Sequence, residues 1–146
     1  MSESQNPLKI GVLISGSGSN LQAIIDRIAQ GSLNAEIVLV ISSRPDAYGL
    51  ERAVKAGIPT IALNREVYKD VPAANQQIAD ALKNAGADYV IMAGYMRKLT
   101  NEVLDAFPDK VVNLHPALLP SFKGAHAIED AFNFGVKVTG ITVHFA

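Results

Sequence analysis

An asparagine and a histidine lie two residues apart in the stretch VVNLHPALLP, which begins at Val111. If the apolar start of this stretch is a strand, Asn113 and His115 share one face of it. Pro116 restricts His115 to an extended backbone, so the ring is predicted to project from the end of the strand. An amide donor beside an imidazole can stabilise an oxyanion during acyl transfer, and the imidazole can transfer protons near neutral pH. The simpler alternative is a histidine that caps the sheet by bonding to a backbone carbonyl.

A loop of small polar residues, SGSGSN, leads from an apolar run into an amphipathic segment. Its glycines, Gly16 and Gly18, permit a tight turn and a close approach of the backbone to a ligand. The side chains of Ser17, Ser19 and Asn20 would stand beside the free N–H groups of a helix start, which is a typical anion site. The loop therefore predicts phosphate binding, with a capped turn that binds nothing as the alternative.

The same loop lacks the features of a dinucleotide site. Leu21 stands where a dinucleotide fingerprint has its third glycine, and Ser42 and Ser43 stand where an acidic residue would hold a ribose. The Gly-Lys-Ser/Thr sequence of a nucleoside-triphosphate loop is also missing from this stretch. A phosphate monoester fits the loop best.

A third stretch, AGYMRKLT, follows another apolar run. Gly94 permits a close approach, and Met96 can pack on an aromatic ligand. Tyr95 adds a second large side chain, while Arg97 and Lys98 add positive charge. These residues are consistent with one wall of a pocket for a flat organic ligand, and a helix start with a solvated basic pair is the alternative.

Other nucleophiles and metal ligands are few. Ser121 follows Pro120 in a predicted loop rather than a nucleophile elbow, so no nucleophilic triad is predicted. His126 and His144 complete the three histidines of the chain, and without carboxylates at suitable spacing they give little support for a metal site. His144 lies in the last apolar run and is a candidate to line the same cavity as Asn113 and His115.

Alternating strands and helices must position these residues. The sequence predicts strands over Lys9–Ser15, Ala35–Ser42, Pro59–Leu63, Asp88–Gly94, Lys110–His115 and Gly140–Ala146, and helices over Asn20–Gly31, Ala47–Gly57, Pro72–Gly86 and Ala127–Gly135. Near-continuous Val/Ile strands that alternate with helices are typical of an α/β, Rossmann-like three-layer fold with a mostly parallel sheet. Ligands bind beyond the carboxyl ends of such strands, so the three polar stretches are expected to converge there.

Composition restricts the function classes. The chain has 146 residues, 49% of them hydrophobic and 18% charged, with a net charge of −1, which predicts one globular domain without a general attraction to nucleic acid or anionic membranes. The absence of cysteine excludes disulfides, thiolate metal sites and a cysteine nucleophile, and it is compatible with a cytoplasmic location. Residues 1–8 are predicted to be a disordered lead-in without a secretion signal, and residues 9–146 a single domain.

The quoted motifs together resemble the phosphoribosylglycinamide formyltransferase family of purine biosynthesis. The resemblance runs in order from Lys9 to the last residue and includes VLISGSGSNLQAII, DAYGLERA, VIMAGYMRKL, VVNLHPALLPSFKGAHA and GITVHF. NLHPALLP is shared more widely among folate-dependent formyltransferases, whereas SGSGSN is similar to the enzyme that acts on glycinamide ribonucleotide. The resemblance implies a formyltransferase-type fold and transfer of a formyl group from the co-substrate 10-formyltetrahydrofolate to the amine of N1-(5-phosphoribosyl)glycinamide, without a metal ion.

The resemblance also implies roles for individual residues. The catalytic pair would be Asn113 and His115, with the protonated imidazole helping to stabilise the oxyanion of a tetrahedral intermediate that forms without an acyl-enzyme. The substrate site would comprise Gly18, Ser19, Asn20, Gly94, Met96 and Pro116. The folate site would comprise Tyr95, Met96, Arg97, Lys98, Leu99 and Asn113.

Two features of the family have no match in the sequence. The family has a third catalytic group, an Asp in an acidic loop after the strand that resembles GITVHF, and a C-terminal helix, whereas the sequence ends at Ala146. We therefore expect the 146-residue chain to lack a C-terminal segment and to be a poor catalyst. The basic residue expected on the folate side before the third helix is not assigned, although Arg65 and Lys69 are nearby.

Three alternative functions remain open. Formyltetrahydrofolate hydrolase shares the Asn-x-His-Pro core, and a non-catalytic module that binds nucleotide phosphates is consistent with the missing Asp. A nicotinamide-dependent oxidoreductase is disfavoured by Leu21. The expected partners are the two small-molecule substrates, with neither nucleic acid nor membrane, in a monomer or homodimer.

Overall fold

The computed structural model describes residues 7–114 and 143–145, and its elements follow the predicted order. The strands are β1 (Leu8–Ile14), β2 (Ala35–Ser42), β3 (Thr60–Ala62), β4 (Tyr89–Ala93), β5 (Val111–Leu114) and β6 (Val143–Phe145). The helices are α1 (Ser19–Ala29), α2 (Tyr48–Lys55), α3 (Val71–Ala85) and α4 (Asn101–Leu104), with a 3₁₀ turn at Val67–Lys69. The sequence did not predict α4 or the 3₁₀ turn, because a single helical turn is too short to show a periodic pattern.

Two predicted segments lie outside the described residues, and the first strand begins earlier than predicted. The predicted helix Ala127–Gly135 and residues 1–6 lie outside the described residues. β1 begins at Leu8, one residue earlier than predicted, since the Leu8 N–H donates a hydrogen bond of 3.1 Å to the carbonyl of Asn34.

The strands form one sheet in the order β3-β2-β1-β4-β5-β6. Strands β1 to β5 are parallel to one another, which confirms the mostly parallel sheet. The exception is β6, which pairs antiparallel with β5. Period-2 and continuous apolar patterns look the same in either direction, so strand polarity at this edge was not readable from the sequence.

Local sequence explains where the helices begin and end. Asp70 precedes α3, and its carboxylate accepts a hydrogen bond of 3.1 Å from the Ala73 N–H, which caps the first turn. Pro72 lies in that first turn, where its missing N–H removes no helical bond. Gly86 ends α3 in the left-handed conformation with φ of 83°.

Both faces of the sheet are covered, which explains why the strands are apolar throughout. One core contains Ile10, Val12 and Ile14 of β1 with Leu21 and Ile24 of α1. The core on the other face contains Leu13 of β1 and Val90 of β4 with Ile78 and Leu82 of α3. The central strands are therefore packed on both faces, and this packing fixes where the connections that follow them begin.

Candidate active site

The ends of β1 and β4 lie where the order of the sheet reverses. The chain passes from β1 outward through β2 to β3 and then returns to place β4 on the other side of β1. The connections that leave β1 and β4 therefore diverge, and a crevice opens between them. A cleft of about 350 Å³ lies there, lined by residues 15–20 with Arg44, Ala93, Gly94 and Met96. The SGSGSN and AGYMRKLT stretches thus meet at one cleft.

A larger groove lies at the opposite end of the sheet. Its volume is about 530 Å³, and its walls are the ends of α1 and α2 and the start of β2, including Ile25, Ile28, Ile37 and Ile58. Within the described part of the chain, Glu36 is the one charged residue that lines this groove. Ligand sites combine apolar walls with converging polar groups, so the cleft at the carboxyl ends of the strands is the better candidate.

Gly18 begins α1 in the left-handed conformation, with φ of 78°. A Cβ atom at this position would lie 2.5 Å from the Cα atom of Gly49 in α2. The missing side chain of Gly18 therefore allows the loop to approach α2, which differs from the close approach to a ligand that the sequence predicted. Gly16 has nothing within 4 Å of its Cβ direction and lines the cleft, so it is the glycine that leaves room for a ligand.

Helix α2 also holds the loop by hydrogen bonds. The N–H of Gly49 donates to the carbonyl of Gly16 over 3.0 Å, and Nε of Arg52 donates to the carbonyl of Ser17 over 2.7 Å. Arg52 reaches Gln22 of α1 as well, over 3.3 Å. Two carbonyls of the loop are thus turned toward α2. This use of Gly49 and Arg52 explains the DAYGLERA motif, whose role the sequence alone left unassigned.

Arg44 is the only charged side chain among the described residues that line the cleft. Its backbone is fixed by the buried Ser42, whose hydroxyl donates to the Arg44 carbonyl over 2.6 Å and accepts from the Arg44 N–H over 3.1 Å. Its guanidinium is exposed and pairs with the carboxylate of Asp46, at 3.1 Å from Nε and 3.0 Å from Nη2. Sequence reasoning missed Arg44, although its position directly after the second strand was the available signal.

The stretch after β4 divides into buried and exposed side chains. Gly94 turns the chain with φ of 80°, and Met96, which lines the cleft, is 82% exposed. Tyr95 is buried, and its hydroxyl bonds to that of Tyr68 over 2.7 Å. Burial raises the pKa of both phenols above the usual value, so both remain neutral at physiological pH. Because the Tyr95 ring is buried, a ligand in the cleft would contact the backbone at position 95 rather than the ring.

The following residues are held against α3. Leu99 is buried, whereas Arg97 and Lys98 are exposed. The fully buried Asn75 of α3 donates from Nδ2 to the Lys98 carbonyl over 3.4 Å and accepts from the Thr100 N–H over 2.8 Å. Asn75 was not predicted as a site residue, since a polar residue within a helix pattern carries no signal of the distant segment it holds.

A second cleft of about 610 Å³ adjoins the first through Arg44. It is lined by Arg44, Arg65 and Arg97, together with Asn64. These arginines follow β2, β3 and β4 respectively, and the guanidinium of Arg97 lies 4.4 Å from the centre of the Tyr68 ring. Of the residues that the structure describes, Asp46 is the only acidic one along this cleft, so the described walls are predominantly positive.

Strand β5 carries Asn113 to the same end of the sheet. Asn113 is half-buried, pairs with Met92 of β4 and lies opposite His144 of β6 in the register. His115 and Pro116, which the sequence analysis also placed in the site, lie outside the described residues. The described structure thus brings the SGSGSN loop, the segment after β4 and Asn113 to the same edge of the sheet, at the carboxyl ends of the strands.

Neither a metal-binding cluster nor a membrane-spanning helix occurs in the described ranges. Among residues 7–114 and 143–145, no group of three or more His, Asp or Glu side chains is arranged to hold a metal ion. In the same part of the chain, no helix has the length and apolar character required to cross a bilayer.

Comparison with known proteins gives a family match along nearly the whole chain. The family model described as formyl transferase matches residues 8–146. The trifunctional purine biosynthetic protein adenosine-3 of Bos taurus is 47% identical over 137 residues, which cover 94% of this chain and 14% of that protein. Phosphoribosylglycinamide formyltransferase of Haemophilus influenzae is 42% identical over 137 residues, covering 94% of this chain and 65% of the relative.

A solved structure shows the same arrangement of elements. The crystal structure of glycinamide ribonucleotide transformylase 1 from Symbiobacterium toebii matches with a TM-score of 0.77 and 46% sequence identity, over 97% of this chain and 66% of that one. The chain therefore spans about two thirds of the length of these bacterial relatives and a small part of the bovine one.

Proposed function

The chain belongs to the formyl transferase family, and on that premise we propose that it transfers a formyl group from 10-formyltetrahydrofolate to the amine of N1-(5-phosphoribosyl)glycinamide in purine biosynthesis. The observation that carries this proposal is the cleft between β1 and β4, where a phosphate-type loop and a positively charged wall adjoin. The names of the bacterial relatives support the transferase over the hydrolase alternative.

The ribonucleotide phosphate is assigned to the side of the cleft formed by the SGSGSN loop. Ser19 and Asn20 lie in the first turn of α1, whose first N–H groups lack helical acceptors and carry partial positive charge. Gly16 leaves space for the phosphate oxygens, and Arg44 supplies the positive charge that a phosphate dianion needs. Gly18 supports this side by holding the loop against α2.

The folate is assigned to the segment after β4 and the arginine-lined cleft. Met96 presents a polarizable side chain to the cleft, and the backbone of residues 95–99 forms the wall that Asn75 holds in place. The folate tail ends in carboxylates, which match the exposed guanidinium groups of Arg65 and Arg97. The side chains of Tyr95 and Leu99 shape this wall from the core side.

Asn113 and His115 are proposed to serve the chemical step. The substrate amine attacks the formyl carbon, and the carbonyl oxygen becomes an oxyanion. The amine then gives up a proton, the folate nitrogen takes one up, and that nitrogen leaves as the tetrahedral intermediate collapses and the carbonyl re-forms. The Asn113 amide and a protonated His115 donate hydrogen bonds to that oxyanion. The family resemblance assigns Pro116 to the substrate site, and His144, which lies opposite Asn113 in the register, is a candidate pocket residue. We place the reaction in the cytoplasm, in a monomer or homodimer.

One reaction mixture distinguishes this proposal from its alternatives. The chain is incubated with 10-formyltetrahydrofolate, with and without glycinamide ribonucleotide, and formylglycinamide ribonucleotide and formate are measured by mass spectrometry. The transferase produces formylglycinamide ribonucleotide above the uncatalysed background, and Asn113→Ala removes most of that excess. Formate release without the ribonucleotide indicates a hydrolase. Calorimetric binding of the ribonucleotide with neither product indicates a binding module, and binding of NAD in its place contradicts the family assignment of the loop.

A further inference from the structure

Ser15 occupies the first position after β1, at the point where the cleft opens. Its side chain is buried, with 3% of the residue exposed. The sequence analysis gave it no role, because a serine at the start of a Gly-Ser loop resembles any other turn residue. Its neighbours in space come from two other connections of the sheet.

The Ser15 hydroxyl joins the ends of three adjacent strands. Its oxygen accepts a hydrogen bond of 2.7 Å from the N–H of Met96, in the segment after β4. The same oxygen lies 2.5 Å from the hydroxyl oxygen of Ser43, which follows β2 and is also buried. A single side chain of the central strand therefore connects the tips on both sides of it.

These bonds lie beyond the end of the strand pairing. The β1–β4 register ends at Leu13 and Met92, and Met96 lies four residues past that pair. Gly94, with φ of 80°, has already turned the chain out of the sheet by then. The contact with Ser15 is thus what fixes the Met96 backbone relative to β1 after the ladder has ended.

The same contact crosses the cleft floor. Ser15 and Gly16 lie on the phosphate-loop side, and Gly94 and Met96 lie on the opposite side. A shift of Met96 away from Ser15 would widen the space between the two sides. Catalytic groups and bound substrates need to be held within a fraction of an ångström, so the width of this space affects the reaction directly.

We propose that Ser15 is a positioning residue. Through its bond to the Met96 N–H, its hydroxyl sets the distance between the SGSGSN loop, where the phosphate is proposed to bind, and the backbone of residues 95–99, where the folate is proposed to bind. This inference rests on the proposed function, because it assigns the two sides of the cleft to the two substrates. Ser15 itself needs no contact with either substrate. Ser43 shares the hydroxyl pair but has no bond to Met96, and it lines the second cleft rather than the first, so it serves as a matched control for binding of the ribonucleotide.

The test compares Ser15→Ala with Ser43→Ala. Ser43→Ala breaks the hydroxyl pair alone, whereas Ser15→Ala breaks the pair and also removes the acceptor for the Met96 N–H, so Ser15→Ala is expected to lose more thermal stability. We expect the Kd of glycinamide ribonucleotide, measured by calorimetry where both variants are folded, to rise about tenfold in Ser15→Ala and to change less than about threefold in Ser43→Ala. The Kd of a non-reactive 10-formyl folate analogue should also rise in Ser15→Ala. Equal affinities of the two folded variants for the ribonucleotide would overturn the proposal.

A second measurement needs no variant and no ligand. Hydrogen exchange of the Met96 amide in the unmodified chain reports whether Ser15 holds it. Strong protection is expected, and exchange at the rate of an unstructured peptide would overturn the proposal even if Ser15→Ala fails to fold. A chain that binds neither ligand but protects Met96 leaves the Ser15 contact intact and counts against the proposed function, whereas ligand binding with an unprotected Met96 counts against the positioning role alone.

Discussion

Gly16 and Gly18 are two residues apart in the same loop, yet the structure predicts different effects when each is replaced by alanine. Gly18 adopts φ of 78°, and an added Cβ would lie 2.5 Å from the Gly49 Cα atom, which belongs to the backbone and cannot swing aside. Gly16 is not among the residues with positive φ, and an added Cβ there would meet nothing within 4 Å. Gly18→Ala should therefore lower the stability of the fold, and Gly16→Ala should weaken binding of the ligand.

The magnitude for Gly18→Ala follows from two contributions. A left-handed backbone costs a residue with a Cβ atom roughly 1–2 kcal/mol. Forcing a methyl group into a packed contact with α2 costs a further 1–3 kcal/mol or so. The sum of about 2–5 kcal/mol lowers the melting temperature by about 5–15 °C for a domain of this size.

The magnitude for Gly16→Ala follows from the space it leaves in the cleft. Its stability should stay within about 0.5 kcal/mol of the parent, as for other substitutions without a clash. The methyl group would project where the phosphate is placed, and losing one hydrogen bond to a charged group costs about 1.5–3 kcal/mol. The Kd of glycinamide ribonucleotide should thus rise about 10- to 100-fold.

Differential scanning calorimetry and isothermal titration calorimetry measure the two effects separately. Both variants are titrated with glycinamide ribonucleotide at a temperature where Gly18→Ala is still folded. The reasoning is refuted if Gly16→Ala melts as early as Gly18→Ala, or if it binds the ribonucleotide as tightly as the parent chain.

Three other predictions concern charge and proton transfer. Arg44→Gln should weaken glycinamide ribonucleotide binding about tenfold and Asp46→Asn should strengthen it about two- to threefold, because the carboxylate competes for the same guanidinium; calorimetric titrations that show both variants shifting in the same direction would contradict this. Burial raises the pKa of Tyr68 and Tyr95 above the usual 10.0, so the folded state favours the neutral phenols, and stability that is complete below pH 10 should fall as the pH rises further. Urea unfolding between pH 8 and 11 should show this fall in the parent chain and little of it in the Tyr68→Phe/Tyr95→Phe variant. In a chain extended by the family's C-terminal segment, His115→Ala should lower kcat about 10²-fold or more while the Kd of the ribonucleotide stays nearly constant, and near-normal turnover would show that the imidazole is structural.

The sequence by itself determined the fold class and the places where a site could form. Runs such as IVLVI and YVIMA are apolar at every position, as strands buried on both faces are, and the segments between such runs repeat at the helical period. SGSGSN and the stretch around Asn113 lie directly after such runs, so their position at the carboxyl edge followed from chain order. These features are local, because each depends on residues that are neighbours in the chain.

Only the tertiary structure decided what each of these residues touches. Ser15 bonds to Met96, which is 81 residues away, and Tyr95 turns into the core to reach Tyr68 rather than facing the cleft. Gly18 is required by Gly49 of α2, and Arg44 lies between two clefts because its strand is adjacent to β1. Strand order and helix placement are set by the packing of the whole core, and no local pattern records which connection will lie beside which.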